Sequence, residues 1–101
     1  MNRNTWWTWM AAPPLIKPAN GTSWPLNPGY QGATVTFEWE PVTGAEGYRF
    51  TIQTPSQTHD FTVDSTTFAG QYPKGTNTWK VAALVNGTVQ TWSETRFFVF
   101  E

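Results

Sequence analysis

The sequence predicts an all-β domain, built as an antiparallel sandwich in which two sheets pack face to face. Apolar and polar residues alternate with a period of two over much of the chain, which is typical of strands with one buried and one solvated face. No segment sustains the 3.6-residue period of an amphipathic helix. Turn-forming residues separate the alternating runs at intervals of roughly 8–12 residues, which is a spacing typical of sandwiches.

The first predicted strand is short and lies at a sheet edge. It covers Leu15 to Lys17, and it is flanked by Pro13, Pro14 and Pro18. Because proline cannot donate a hydrogen bond to a neighbouring strand, prolines at these positions favour an edge. The next segment, residues 19–32, is rich in Gly, Pro and Asn, and we expect it to be a long connection without a strand.

Alternation is clearest in residues 33–40, with the sequence ATVTFEWE, where Val35, Phe37 and Trp39 share the inward face. The same period identifies the inward residues of the later strands. These are Tyr48, Phe50, Ile52, Phe61, Val63, Phe68, Trp79, Val81 and Ala83.

The end of the chain carries a hairpin signal and an unusual last strand. Asn86-Gly87 lies between two strand-like runs and predicts a two-residue turn. In the final RFFVF, Phe98 and Phe100 alternate with the pair Phe97 and Val99, so both faces are apolar. An ordinary sandwich strand at an edge has one polar face, and we therefore expect another segment to cover this one.

Composition excludes several classes of function. The chain has 101 residues, a formal net charge of −1 and no cysteine. This length fits one domain. Without cysteine there is no disulfide, thiolate metal site or cysteine nucleophile. The near-neutral charge argues against a nucleic-acid partner or an anionic lipid surface. The first ten residues are not a signal peptide as written, so either export uses a route other than the general secretory one or the natural start has been trimmed. No apolar run is long enough to span a membrane, and we expect no membrane insertion.

Three segments together resemble a known family. They are FEWEPVTGAEGYRFTI, YPKGTNTWKVAAL and TWSETRFFVF. In this order they are similar to the B–C segment, the E–F corner with strand F, and strand G of a bacterial or phage-type fibronectin type III domain, an immunoglobulin-like β-sandwich. The resemblance implies a seven-stranded Greek-key sandwich over residues 15–101, preceded by an N-terminal Trp-rich arm, residues 1–14.

The resemblance also assigns roles to single residues. It makes Trp39 the core tryptophan of strand B and Tyr48 the core aromatic residue of strand C. The tyrosine usually found at the E–F corner is replaced by Asn77. We therefore expect Trp79 to anchor this corner by packing alone, without the corner hydrogen bond.

As a family, such domains are non-catalytic, and they act as spacers, adhesive units, partners of glycosidases or decorations on phage capsids and tails. The resemblance thus implies no cofactor, no enzyme activity, and a location that is extracellular, on the cell surface or in a virion. Which of these uses applies does not follow from the fold.

The residues themselves give little support to catalysis or metal binding. Glu38 and Glu40 share an outward strand face, where water prevents the pKa shifts that acid–base catalysis needs. The cluster of Ser56, His59 and Asp60 has neither an oriented base nor an oxyanion hole. Asp60 and Asp64 are also too few and too dispersed for a calcium-binding loop. We predict no catalytic, metal or cofactor site.

The aromatic residues outside the predicted core point to binding. The arm carries Trp6, Trp7, Trp9 and Met10, and an exposed apolar segment of this kind marks an interaction site. We predict an assembly interface made of these four residues together with Phe97 and Val99. The arm either packs on its own domain over these two residues, or reaches a neighbouring subunit by strand addition.

Trp24 and Trp92 allow two interpretations. In the first, Trp24 closes an open end of the sandwich and Trp92 stacks on a cation such as Arg49 or Arg96. In the second, both form a flat aromatic platform for sugar rings, and the protein is a carbohydrate-binding module. The predicted partners are accordingly another protein, a second copy or a larger assembly, with a glycan as the alternative.

Overall fold

The structure, a computed structural model, describes residues 10–101, which form a sandwich of two β-sheets. The smaller sheet has the strand order β1-β3-β6, all antiparallel, with bounds Leu15–Lys17, Gly32–Trp39 and Thr67–Pro73. Nothing in the described residues forms a helix of the length and apolarity that crossing a membrane requires. The all-β prediction is confirmed.

The larger sheet has the order β2-β9-β7-β4-β5, and β8 also pairs with β7. The bounds in chain order are β2 Thr22–Trp24, β4 Gly47–Gln53, β5 Thr58–Val63, β7 Gly75–Val85, β8 Thr88–Trp92 and β9 Arg96–Phe100. The resemblance implied seven strands, whereas the structure has nine segments. The first strand changes sheets at Pro18 and so becomes β1 and β2, and the last is interrupted between Trp92 and Arg96, giving β8 and β9.

The predicted edge strand β1 is confirmed, but the prediction that residues 19–32 contain no strand is wrong. Thr22–Trp24 forms β2, which pairs in parallel with β9. Backbone bonds flank the pairing, because Gly21 N donates to Phe97 O at 2.8 Å and Glu101 N donates to Trp24 O at 2.9 Å. Three residues are too few to show an alternation of apolar and polar positions, so the sequence could not predict this strand. It forms because β9 offers an edge with which its backbone pairs.

The core lies between the sheets, and most of the inward residues predicted from alternation are buried there. Thirteen residues form the buried cluster: Leu15, Val35, Phe37, Trp39, Tyr48, Phe50, Ile52, Tyr72, Trp79, Val81, Ala83, Phe98 and Phe100. One prediction needs correction. Phe61 lies opposite Phe50 in the register, on the inward face, but it is 37% exposed because β5 is the edge of its sheet. Val63 and Phe68 are partly buried against the cluster.

The hairpin predicted at Asn86-Gly87 joins β7 to β8. Val85 is paired directly with Thr88, so the loop has two residues. Asn86 has a φ of 52° and Gly87 a φ of 74°. Both angles are positive, as a type I′ turn requires, which explains why asparagine and glycine occupy these positions.

The corner between β6 and β7 keeps a hydrogen bond that the sequence led us not to expect. Asn77 is fully buried, and its Nδ2 donates to the carbonyl oxygens of Pro73 at 3.1 Å and Gly75 at 3.3 Å. Trp79 is held by packing alone, since its buried Nε1 has no hydrogen-bond partner among residues 10–101, but the prediction that the corner has no side-chain hydrogen bond is wrong. The amide of Asn77 ties β7 back to the corner between β6 and β7.

The stability of this core depends on pH through the hydroxyl group of Tyr72. Its ring packs edge-on against Phe37 with centroids 5.6 Å apart, and burial raises the pKa of its hydroxyl from an ordinary value near 10 to about 12. Because the folded state holds the proton more tightly, this contribution to stability is complete below pH 10. It is lost as the pH rises from 10 to about 12.

We therefore expect Tyr72→Phe to flatten the fall in melting temperature between pH 9.5 and 12, relative to the unmodified chain. Thermal unfolding followed by circular dichroism measures this. The matched control is Tyr30→Phe, which removes a hydroxyl from a ring that is 59% exposed, and it should leave the profile unchanged. Equal profiles for Tyr72→Phe and the unmodified chain would contradict the assignment.

Candidate interaction surfaces

The residues considered for catalysis do not come together. His59 lies in β5 with its ring over that of Phe61, at a centroid distance of 6.2 Å. Asp60 follows it in the strand and therefore points to the opposite face, and Ser56 lies in the turn before the strand. Glu40 follows β3 and is exposed, and its backbone N–H donates to Pro14 O at 2.8 Å. Within residues 10–101, no three potential metal ligands are grouped.

The described part of the arm begins at Met10, which lies at the turn between β3 and β4. A Cβ built on Gly44 in that turn would stand 2.9 Å from the Met10 methyl group. Met10 N also donates to Gln90 Oε1 in β8 at 3.5 Å. Further along, Pro13 is buried. Residues 10–14 thus pack against the end of the sandwich that carries this turn, and the division of the chain at residue 14 stays a prediction.

The other residues of the predicted assembly interface are placed as follows. Trp6, Trp7 and Trp9 lie outside the described residues. Phe97 and Val99 lie on the outer face of β9, opposite two threonines of β7 in the register, and Phe97 is 40% exposed. Met10 contacts the other end of the larger sheet, near β8, so the structure does not bring it onto Phe97 and Val99.

β9 itself has one buried and one outward apolar face. Phe98 and Phe100 point inward and are buried. The sequence predicted that another segment covers this strand, and the structure shows partial cover. β2 pairs with the backbone edge of β9. Gly21 lies under the ring of Phe97, because a Cβ built on Gly21 would be 3.6 Å from Phe97 Cζ. The outer surface of Phe97 stays open among the described residues.

The two tryptophans proposed as a glycan platform lie on opposite sides of the larger sheet. Trp24 faces the core side, with its ring 5.4 Å from Phe100 and 5.8 Å from Phe98. Trp92 pairs with Ala82 and lies on the outer side, where Lys80 Nζ is 4.5 Å from the ring centroid. The expected cation partner, Arg49 or Arg96, is therefore wrong, because Lys80 takes this place. Trp24 and Trp92 do not form one platform.

Arg96 has a role that the sequence did not indicate. Its guanidinium group donates to the carbonyl oxygens of Pro18 at 3.0 Å, Leu15 at 3.1 Å and Ile16 at 3.4 Å, and its Nε contacts Glu94 Oε2 at 2.8 Å. Arg96 thus ties the start of β9 to the segment where the chain changes sheets. These contacts join residues about 80 positions apart, and no local pattern could have shown them.

A groove opens beside that segment, with a volume of about 460 Å³. One wall is the chain of β3 from Ala33 to Thr36, and the other is the crossing segment at Lys17 and Pro18. Its apolar lining comes mainly from Trp24, Leu26, Val35 and Phe100.

Comparisons with known proteins identify the fold. No family model matches the chain, and no curated protein matches it with significance. Among solved structures, the chain is similar to the crystal structure of FN3tt, with 15% sequence identity and a TM-score of 0.52. The alignment covers 91% of this chain and 98% of that one. The chain therefore has a fibronectin type III-like fold.

Proposed function

We propose that this protein is a non-catalytic structural module that joins subunits of an extracellular, cell-surface or virion assembly through its N-terminal arm and its last strand. A phage capsid decoration, a tail or fibre component, and a subunit of a surface filament are the assemblies that such a module suits. The fibronectin type III-like fold supports an interaction role, while the kind of assembly and its location are part of the proposal.

The observation that carries the proposal is the outer face of β9. Phe97 is a large aromatic residue, 40% exposed, with Val99 beside it on the same face. Exposed aromatic residues that are grouped with other apolar side chains are typical of protein interfaces. The sequence of residues 5–10 adds three further tryptophans before the first strand, in a segment that the sequence predicts to be an interaction site.

The carbohydrate-binding alternative has less support. A sugar platform needs coplanar rings that are open on one face, whereas Trp24 packs on Phe98 and Phe100. The ammonium group of Lys80 lies over the ring of Trp92. Each tryptophan thus has a structural partner already.

Removal of residues 1–9 and the substitution Phe97→Thr test the proposal. The deletion keeps residues 10–14, which contact the body of the domain. We expect the full chain to associate beyond the 11.4 kDa monomer as its concentration rises, and each change to weaken this association at least tenfold. Light scattering after size-exclusion chromatography, over a concentration series, measures the mass.

Phe61→Thr is the matched control, because Phe61 is 37% exposed on the far edge strand, β5. It should associate like the unmodified chain. A full chain that stays monomeric at all concentrations, or association that neither the deletion nor Phe97→Thr changes, would refute the proposal.

A further inference from the structure

One edge of β3 is left open by the crossing of the first strand. β3 pairs with β6 from Gly32 to Glu38, but with β1 only at Glu38 and Trp39. The chain then leaves for the other sheet at Pro18. Within residues 10–101, no strand pairs with the outer edge of β3 between Gly32 and Phe37.

The hydrogen-bonding direction of this edge follows from its neighbours. Trp39 N donates to Thr66 O, towards β6, while Glu40 N donates to Pro14 O, on the opposite side. In an antiparallel strand these directions alternate along the chain. The N–H and C=O groups of Thr34 and Thr36 therefore point to the open edge.

The groove described above runs along this edge, since all four residues from Ala33 to Thr36 line it. Free backbone groups and apolar pockets beside them are the two features that strand addition uses: the backbone supplies hydrogen bonds, and alternate side chains of the added strand fill the pockets. A volume of about 460 Å³ is within the usual range for binding pockets.

We propose that the open edge of β3 and this groove receive the N-terminal arm of a second copy of the chain, which adds as a strand. This inference rests on the proposed function and names the surface that the arm binds. In an added strand, Trp7 and Trp9 fall on one face and enter the groove beside Val35, while Thr8 falls on the outer face with Thr34 and Thr36.

The position of Trp7 and Trp9 in the chain favours a second copy over the same chain. Met10 lies over Gly44, beyond Glu40, and the groove is lined by the β3 residues from Ala33 to Thr36. The near end of the groove is therefore four residues along β3 from Glu40, which is about 13 Å at ~3.3 Å per residue. Trp7 is three residues from Met10, and three fully extended residues span about 10 Å, so the backbone of Trp7 or Trp9 in the same chain does not reach the groove.

β1 also blocks the direct path for an arm of the same chain. Leu15 and Lys17 occupy the β3 edge between the start of the arm and the groove. An arm that leaves at the turn between β3 and β4 reaches the groove of a neighbour without either constraint. The contact is then heterologous, a head-to-tail arrangement that builds rings or filaments unless two copies exchange arms.

Disulfide trapping in the full chain tests the proposal directly, because the natural chain has no cysteine. A Thr8→Cys chain is mixed with a ¹⁵N-labelled chain carrying Thr34→Cys or Thr36→Cys, so that the mixed dimer has its own mass. Facing residues in neighbouring strands have Cα atoms about 4.5–5.5 Å apart, which a disulfide can bridge. We expect the mixed dimer to form at least tenfold faster with these partners than with Thr62→Cys, an exposed position on β5.

Each outcome of the trapping decides the proposal. Equal rates with Thr62→Cys would mean random collision and would overturn it. A Thr8→Cys/Thr34→Cys double variant that closes within one chain, without mixed dimers, would place the arm on its own domain and overturn it as well.

A pair of substitutions at the edge gives an independent measurement. Thr34→Pro removes an outward N–H and keeps the pairing with β6, whereas Thr34→Val keeps the N–H and the strand preference. We expect Thr34→Pro to weaken association at least tenfold and Thr34→Val to change it less than twofold, by light scattering. If removal of residues 1–9 abolishes association but Thr34→Pro does not and no mixed dimer is trapped, this inference fails while the proposed function stands. If neither the deletion nor Phe97→Thr changes association, both fail.

Discussion

Phe37→Ala should lower the free energy of unfolding by about 3–5 kcal/mol, the range for removing a fully buried phenylalanine. The ring is completely buried in β3 and contacts aromatic rings from both sheets. Its neighbours, with centroid distances, are Phe50 at 4.8 Å, Trp79 at 4.9 Å, Tyr72 at 5.6 Å and Phe98 at 5.8 Å. Alanine leaves a cavity at this position. The surrounding rings belong to different strands, so they cannot all move inward to fill it.

Since small domains have unfolding free energies of about 5–15 kcal/mol, this single change removes a large part of the total stability. Urea unfolding followed by tryptophan fluorescence measures it. Phe37→Leu is the control: it keeps most of the volume, and we expect a loss of about 1–1.5 kcal/mol. A cost below about 1 kcal/mol for alanine would show that Phe37 does not hold the two sheets together.

The position of Phe37 in the core was predictable from the sequence, because each long strand alternates clearly. Val35, Phe37 and Trp39 on β3 are buried as the period of two predicts. The turn at Asn86-Gly87 was predictable for a local reason too, since its positive φ angles need those residue types. Features that depend on residues within about ten positions of each other, such as strand alternation and turns, were therefore predictable from the sequence.

The parts that the sequence did not predict depend on contacts between distant segments. β2 is too short for a period and exists because β9 offers it an edge. The exposure of Phe61 follows from the place of β5 at the sheet edge, which alternation does not show. Asn77 was identified as a departure from the family, but the carbonyl groups that accept its amide are set by the corner between β6 and β7.

The candidate site shows the same limit. The sequence identified the Trp-rich arm and the two-faced last strand, because unusual composition is visible residue by residue. It did not show the groove beside Thr34, since that opening exists only where the chain leaves β3 at Pro18 and Trp24 returns on the other sheet. The proposed binding edge thus depends on how the strands are connected between the two sheets, which the sequence pattern does not show.

Arg96→Ala should destabilise the domain by about 2–3 kcal/mol, because hydrogen bonds from a charged group are worth about 1.5–3 kcal/mol. Three carbonyl oxygens of the crossing segment, those of Leu15, Ile16 and Pro18, share this guanidinium group. The arginine side chain is only 16% exposed, so water replaces the lost donors incompletely.

Two controls separate the hydrogen bonds of Arg96 from its charge. Arg96→Lys keeps the charge but has one donor group in place of the guanidinium fork, so we expect it to recover less than half of the loss. Glu94→Gln removes the ion-pair partner, which is 56% exposed, and should cost less than about 1 kcal/mol.

Hydrogen exchange locates the effect of Arg96→Ala within the fold. The amide of Glu40 donates to Pro14 O beside β1, so its exchange reports whether this strand stays docked on β3. We expect Arg96→Ala to speed its exchange at least tenfold more than that of Val81 N, which donates to Ser93 Oγ in the other sheet. Equal acceleration at both amides would mean that Arg96 stabilises the whole domain uniformly and does not hold the crossing segment. Because that segment forms one wall of the groove at Lys17 and Pro18, a local release of β1 would also disrupt the proposed binding edge.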